Sequence, residues 1–230
     1  MRSETIPRLN KFKSIAYAGF LRGYYFLEDE MRWRFLHHGL GARVAAPRRS
    51  MLRLKQYLNF HIHTGSGIRN VKVEGRSVTL ETDSEAFTGD FVILGTGYAI
   101  DIKQQPELAD FADQILLWQD CFTPPADCPS EELGRFPYLG PGFEFLEKEA
   151  GTAPHLGQIH LFNAATTLSH AAVSSDIPGV NVGADRLLNA LSIQFFREGA
   201  DAHLEDLYAY DDPELLGDEW REEESATRHV

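Results

Sequence analysis

The chain has 230 residues, 43% of them hydrophobic and 24% charged, with a formal net charge of -12. Such a composition supports a packed core and excludes a disordered chain, while the length admits one large α/β unit or one domain with parts of another. Overall acidity without a recognised binding motif argues against nucleic-acid recognition, and no apolar run nears the roughly 18 residues that span a bilayer. Two cysteines, Cys121 and Cys128, with no apolar leader, give a cytoplasmic setting as the expectation. The charge is uneven: residues 1 to 55 hold twelve Lys or Arg against four Asp or Glu, and the rest hold ten against thirty. This asymmetry fits either a basic ligand surface facing an acidic one or simply two differently charged solvated faces.

In chain order, the first twenty residues are basic and irregular around Pro7. Residues 21 to 38 are mostly helical, stopped at Gly39 and Gly41. A second helix is expected over residues 50 to 60 with Ser50 as N-cap. From His61 the period changes to that of strands. Alternation over residues 68 to 74, Gly75 as a turn and alternation over residues 77 to 82 predict a β-hairpin. Residues 91 to 94, Phe-Val-Ile-Leu, form a short continuous apolar run, expected as a strand buried on both faces of a parallel sheet. Prolines from Pro106 to Pro154 break the next segment into an irregular excursion with helical pieces, such as residues 106 to 118. Residues 159 to 162 are a further strand candidate. Ala184, Leu187, Leu188, Leu191 and Phe195 then share one helical face, predicting a helix over residues 183 to 198 that Gly199 ends. An acidic helix or loop and tail follow from Asp201.

Two segments stand out chemically. At Gly95-Thr96-Gly97-Tyr98, two glycines after a strand let the backbone approach a flat or phosphorylated ligand, with two hydroxyls alongside; a tight structural turn reads equally well. Between Asn163 and Arg186, a strand, a loop of small and hydroxyl residues and a helix N-terminus form a place where unpaired N–H groups face a ligand. His170 and Asp176 lie in that loop, where His170 serves either as a ligand or catalytic group or as an ordinary hydrogen-bonding residue. No nucleophile elbow accompanies them. His61 and His63 could share a metal, but no third ligand stands at a telling spacing.

Asp90, three residues, Leu94 and Gly95-Thr96-Gly97-Tyr98 resemble the Asp-x-x-x-Leu/Phe-Ala-Thr-Gly-Tyr signature of flavin-containing and N-hydroxylating monooxygenases, with Gly95 in place of Ala. Asp176-Ile177-Pro178-Gly179 resembles the Gly-Asp-Ile-Pro-Gly stretch of monooxygenase-like flavoproteins, with Ser175 in place of the first Gly. The resemblance implies FAD and NADPH as cofactors, and cofactor contacts from Gly95, Thr96, Gly97, Tyr98, Asn163, His170, Asp176, Ile177, Pro178 and Gly179. It also implies phosphate contacts from Arg8 and Lys11, for which a solvated basic terminus is the alternative. The fold it implies is α/β, an incomplete two-dinucleotide-binding (Rossmann-like) flavoprotein fold with a β-hairpin insertion. Residues 1–98 would be a partial NAD(P)H-type region, 99–158 the Pro-rich excursion, 159–200 the closing strand-loop-helix of an FAD-type domain and 201–230 an acidic tail.

Neither dinucleotide fingerprint is complete, since Gly39-x-Gly41, Gly65-x-Gly67 and Gly95-x-Gly97 continue to Val44, Asn70 and Ile100 rather than to Gly or Ala. The chain therefore reads as a fragment or truncated member of FAD- and NAD(P)H-dependent monooxygenase-like oxidoreductases that contributes cofactor contacts rather than complete catalysis. The alternatives are a subunit of a split flavoenzyme, completed by an FAD-domain chain, and a non-catalytic interaction protein or homo-oligomer.

Overall fold

In the computed structural model, which describes residues 6–217 and 219, the chain divides into a unit of residues 1–188 and a unit of residues 189–230. The first unit begins with α1 (Ala18–Gly23) and α2 (Asp29–Gly41). Asp29 and Glu30 stand in the first turn of α2, where negative charge opposes the positive end of the helix dipole. One face of α2 buries Trp33 and Leu36. The helix runs through Gly39 instead of stopping there. Gly39 leaves room for Phe12 to lie over the helix: a Cβ at that position would fall 2.3 Å from the far end of its ring, which would have to shift. The expected helix at residues 50 to 60 is shorter and starts earlier, as α3 (Arg48–Leu54), with Pro47 rather than Ser50 at the N-cap position.

The hairpin forms as read: β1 (Ile68–Glu74) pairs antiparallel with β2 (Ser77–Thr82), turning at Gly75 with φ +60. A strand not expected from sequence, β3 (Ala86–Gly89), adds to β2. Thr82 holds the turn between them, its hydroxyl donating to the Glu85 carbonyl at 2.8 Å. The sheet is laced on its surface by the Lys72–Glu81 pair and by a Thr79–Thr88 hydroxyl contact of 3.0 Å.

Residues 91 to 94 correct the expectation of a buried strand. They are extended but unpaired, with Phe91 88% and Ile93 94% exposed, and the only sheet among the described residues is the antiparallel β1-β2-β3. Four apolar side chains in a row demand cover on both faces, and a backbone becomes a strand only when neighbours accept its hydrogen bonds. No described segment of this chain lies beside it to do so. Burial resumes at Ile100 and Ile102.

The Pro-rich excursion carries most of the core. α4 (Trp118–Cys121) and α5 (Glu131–Gly134) are single turns, and the helical pieces expected at residues 106 to 118 are short 3-10 turns. Residue pairs 115 with 147, 117 with 137, 139 with 145 and 144 with 160 make single antiparallel bridges, and the strand expected at residues 159 to 162 reduces to the last of these. One core gathers Ile102, Ile115, Leu139, Phe145, Leu156 and Leu161; a second joins Trp33 and Leu36 to Trp118, Leu133, Phe136 and Leu168.

α6 (Thr167–His170) leads to α7 (Ile177–Glu198), which starts six residues before the helix read from periodicity. Gly179 and Gly183, one turn apart, are buried where a Cβ would lie 2.6 Å from the Ala172 carbonyl oxygen and 2.2 Å from that of Val173. Bare backbone is what lets the preceding loop run across the helix there. In the second unit, Gly199 ends α7 as expected, at φ -95 rather than in the left-handed region, and α8 (Ala200–Ala209) follows directly. Phe196 and His203 stack across the junction with centroids 5.2 Å apart. Of the expected acidic tail, residue 218 and residues 220 to 230 lie outside the described residues.

Candidate functional site

The loop from Asn163 to Asp176 is held from both ends. Asn163 accepts from the Ala165 N–H at 2.8 Å, and the Ser174 hydroxyl donates back to the Asn163 carbonyl at 2.6 Å. Asn163 therefore fastens the loop to itself. Between these ties His170 is completely buried. Its ring is sandwiched by Tyr25, stacked at 4.7 Å, and Phe143 at 4.1 Å. Arg186 on α7 places a guanidinium N–H 2.8 Å from His170 Nδ1, and Nε2 lies 3.0 Å from the Gly140 carbonyl. A guanidinium only donates, so Nδ1 must hold a lone pair and Nε2 the proton. Burial, and next the Arg186 charge, push the His170 pKa down to about 3. The imidazole is neutral and both nitrogens are occupied, which suits a structural hub and not a proton carrier.

Two strained residues frame this ring. Phe143 (φ +72) and Ala171 (φ +61, ψ -173) are non-glycine residues at positive φ. Ala171 occupies a region that glycine alone enters readily, at a cost of about 1–3 kcal/mol by general experience. The ties of Asn163, His170 and Arg186 hold the loop in that shape. Arg186 also donates to the carbonyls of Leu21 and Arg22 at 3.0 and 3.1 Å, joining α7 to α1.

A second buried cation lies alongside. Arg32 is 5% exposed, pairs with Asp29, and donates to the Ser169 carbonyl at 3.3 Å and the Tyr138 hydroxyl at 3.1 Å. Its guanidinium sits 4.9 Å from the Trp118 ring centroid and 5.3 Å from that of Tyr138. Ser169 gathers the Trp118 indole N–H at 3.2 Å and the Leu139 N–H at 3.3 Å. No sequence motif marks Arg32, Trp118, Tyr138 or Ser169. The available signal was an arginine between the apolar positions of α2, which becomes legible only when a carboxylate and three rings converge on it.

Beside this loop an apolar cleft of about 370 Å³ opens between the N-terminal segment and the start of α7. Phe12, Phe20 and Leu40 line it, with Asn10, Ser175 and Asp176 among its polar residues. The Asp176 carbonyl accepts from the N–H groups of Gly179 and Val180, at 2.9 and 3.0 Å. Ile177 and Pro178 are exposed at the helix start, while Gly179 is committed to packing.

Gly95, Thr96, Gly97 and Tyr98 all lie on the surface; Gly97 has φ +91, and a Cβ on either glycine would meet open space. Lys11 contacts His38 Nε2 at 2.8 Å and Arg8 is exposed, so neither is built into the core. Asp176 is thus brought to a cleft, Asn163 and His170 to its supporting loop, and residues 95 to 98 to an open surface. His61 and His63 are 6.5 Å apart, His63 faces Glu85, and no metal-ligand cluster exists among the described residues. Burial pushes the Cys121 thiol up to about 11, which leaves it protonated at neutral pH and a poor nucleophile.

No protein-family model matches the chain, and no solved structure matches it. A curated relative does: the chain is 26% identical over 217 residues to an FAD-dependent urate hydroxylase from Xanthomonas campestris pv. campestris (strain ATCC 33913). The matched region covers 94% of this chain and 46% of that protein, so the chain spans about half the length of the relative it matches. Among the described residues no helix is long and apolar enough to cross a membrane. The similarity supports a flavin monooxygenase-like family, the kind of protein that residues 90 to 98 and 176 to 179 resemble.

Proposed function

We propose that this chain works within an FAD- and NAD(P)H-dependent monooxygenase-like oxidoreductase, supplying cofactor contacts rather than complete catalysis. The observation that carries the reading is the similarity to an FAD-dependent hydroxylase along 94% of the chain, which leaves too few residues outside it to exclude either motif. The local chemistry that supports this reading is an apolar cleft with a carboxylate at its rim, which suits a flat ring that offers an N–H donor. Asp176 and Ile177 open the first turn of α7 at the rim of an apolar cleft, and Asn163, His170 and Arg186 hold the loop behind it. Gly95 and Gly97 leave the backbone bare, with the hydroxyls of Thr96 and Tyr98 beside them. Arg8 and Lys11 are the cations offered to nucleotide phosphates.

FAD, when bound, would supply the oxygen-activating chemistry. The residues of this chain bind and orient the ring and exclude water from one side of it. The exposed apolar run at residues 91 to 94 favours a complementary half that pairs with it as neighbouring strands and carries the glycine-rich pyrophosphate cradle. The same exposure supports a second reading, a non-catalytic interaction protein.

Titration of the purified chain with FAD, followed by flavin absorption and fluorescence, tests the proposal. Saturable quenching that weakens at least tenfold in Asp176→Ala is expected. Flavin that stays spectrally free at saturating FAD, with and without NADPH, would leave the interaction reading in its place.

A further inference from the structure

Two segments of the chain, one in each unit, carry charge of opposite sign beside exposed apolar side chains. Between Met31 and Val73 there are nine Lys or Arg and no Asp or Glu. On α3, Met51 and Leu54 are half-buried while Arg48, Arg49, Leu52 and Arg53 share the outward face. The segment continues through Lys55 to Tyr57 and Leu58, and Leu58 is 97% exposed. Arg48, Arg49, Arg53 and Lys55 form no ion pair among the described residues. A cationic helix face flanked by bare aromatic and aliphatic side chains is poorly served by water alone.

The second unit has the opposite character. Residues 201 to 217 contain six Asp or Glu and no Lys or Arg. On α8, Leu204, Leu207 and Tyr208 lie at the i, i+3, i+4 spacing of one helical stripe, bordered by Asp201 and Glu205. Leu207 is 69% and Tyr208 73% exposed, and Tyr210, Leu215 and Leu216 extend the apolar surface beyond the helix. A ten-residue helix is marginal in water without a surface to cover its stripe.

We propose that two copies of the chain associate head to tail, the acidic apolar segment 200–216 of one copy seating on the basic apolar segment 48–60 of the other. Each surface has what the other needs, an apolar stripe bordered by charge of one sign. Charge selects a second copy over the other classes of occupant. An anionic membrane or a nucleic acid would engage segment 48–60 alone and leave the acidic apolar segment 200–216 uncovered, whereas a second copy carries a local complement to both. A single such contact leaves one basic and one acidic segment free, so the assembly either closes by repeating the contact, reciprocally in a two-fold pair or around a ring, or it grows. It does not depend on flavin binding.

Sedimentation velocity of the full chain over a concentration series, at about 50 mM and about 0.5 M salt, tests this, because screening shortens the reach of surface charge between those conditions. Mass should rise with concentration at low salt, and association should weaken at least tenfold at high salt. One variant carries Arg48→Glu, Arg49→Glu and Arg53→Glu; a second carries Asp201→Lys, Glu205→Lys and Asp212→Lys. Each alone should lose association at least tenfold, and an equimolar mixture should regain it, because the acidic segment of the first then meets the basic segment of the second. Misfolding cannot produce that rescue. A wild-type chain that stays monomeric throughout would overturn the proposal, whether its segments close on each other or it binds anionic vesicles instead. So would association indifferent to salt and to both sets of reversals, or folded variants whose mixture fails to reassociate.

Discussion

Acidification should destabilise this chain earlier than its carboxylates alone can explain, and His170 is the reason. In the folded state its pKa is pushed down to about 3 by burial and by Arg186, whereas in an unfolded chain it is about 6.5. A base whose folded pKa is depressed leaves stability intact above the unfolded value. As pH falls below that value the unfolded state takes up a proton that the folded state refuses, so stability is lost progressively down to the folded pKa. At about 1.4 kcal/mol per pH unit, roughly 2 kcal/mol is gone by about pH 5 and roughly 4–5 kcal/mol by about pH 3. The carboxylates held low by their partners, Asp101, Asp113, Asp127 and Glu81, lose their contributions at lower pH, so the interval between about pH 6.5 and pH 5 belongs to the histidine. Urea unfolding followed by tryptophan fluorescence is a suitable assay, since Trp33 and Trp118 are both buried. His170→Gln keeps an acceptor for Arg186 and a donor for Gly140 but cannot be protonated. It should lose about 1–2 kcal/mol near neutral pH from the missing ring contacts, and its stability should be nearly flat across that interval. Equal pH slopes for the wild type and His170→Gln would refute the assignment.

Arg186→Met should cost about 2–3 kcal/mol in the same assay, because it strands His170 Nδ1 and the carbonyls of Leu21 and Arg22 without their donor. It should also raise the His170 pKa, measurable by NMR of the ring protons, since the Arg186 charge helps to hold it down. Gly183→Ala forces a methyl within 2.2 Å of the Val173 carbonyl oxygen and should lower stability by about 2 kcal/mol or more, whereas Gly23→Ala meets open space and should be neutral or slightly stabilising; thermal denaturation separates the two. Phe12→Ala should loosen the N-terminal segment from α2 by removing the ring that lies over Gly39 and packs against the cluster of Trp33 and Leu36, seen as faster amide exchange across residues 6 to 16.

Local rules carried much of the reading. The β-hairpin was legible because alternation and a turn glycine act between neighbours in sequence, and α7 because its apolar stripe repeats along one helix. α7 starts six residues before the helix that the stripe predicts: Pro178 is at home in a first turn, and Gly179 and Gly183 mark close packing rather than a weak helix. β3 has no pattern of its own, because its four residues include one large apolar side chain, and its pairing with β2 decides it. The run at residues 91 to 94 shows the limit of pattern. Its composition asks for burial on both faces, but strand formation depends on neighbours that the described chain does not place beside it.

By itself, the sequence determined the elements that nearest neighbours can specify, the uneven charge, and the two motifs that resemble flavin monooxygenases. Tertiary structure alone decided that His170 is a neutral hub and not a free base, that Arg32 is buried, and that Gly179 serves packing. Arg32 reaches Ser169 across 137 residues and Arg186 reaches Leu21 across 165. Protonation and burial are set by whatever surrounds a group in space, and sequence spacing carries no record of contacts made over such distances.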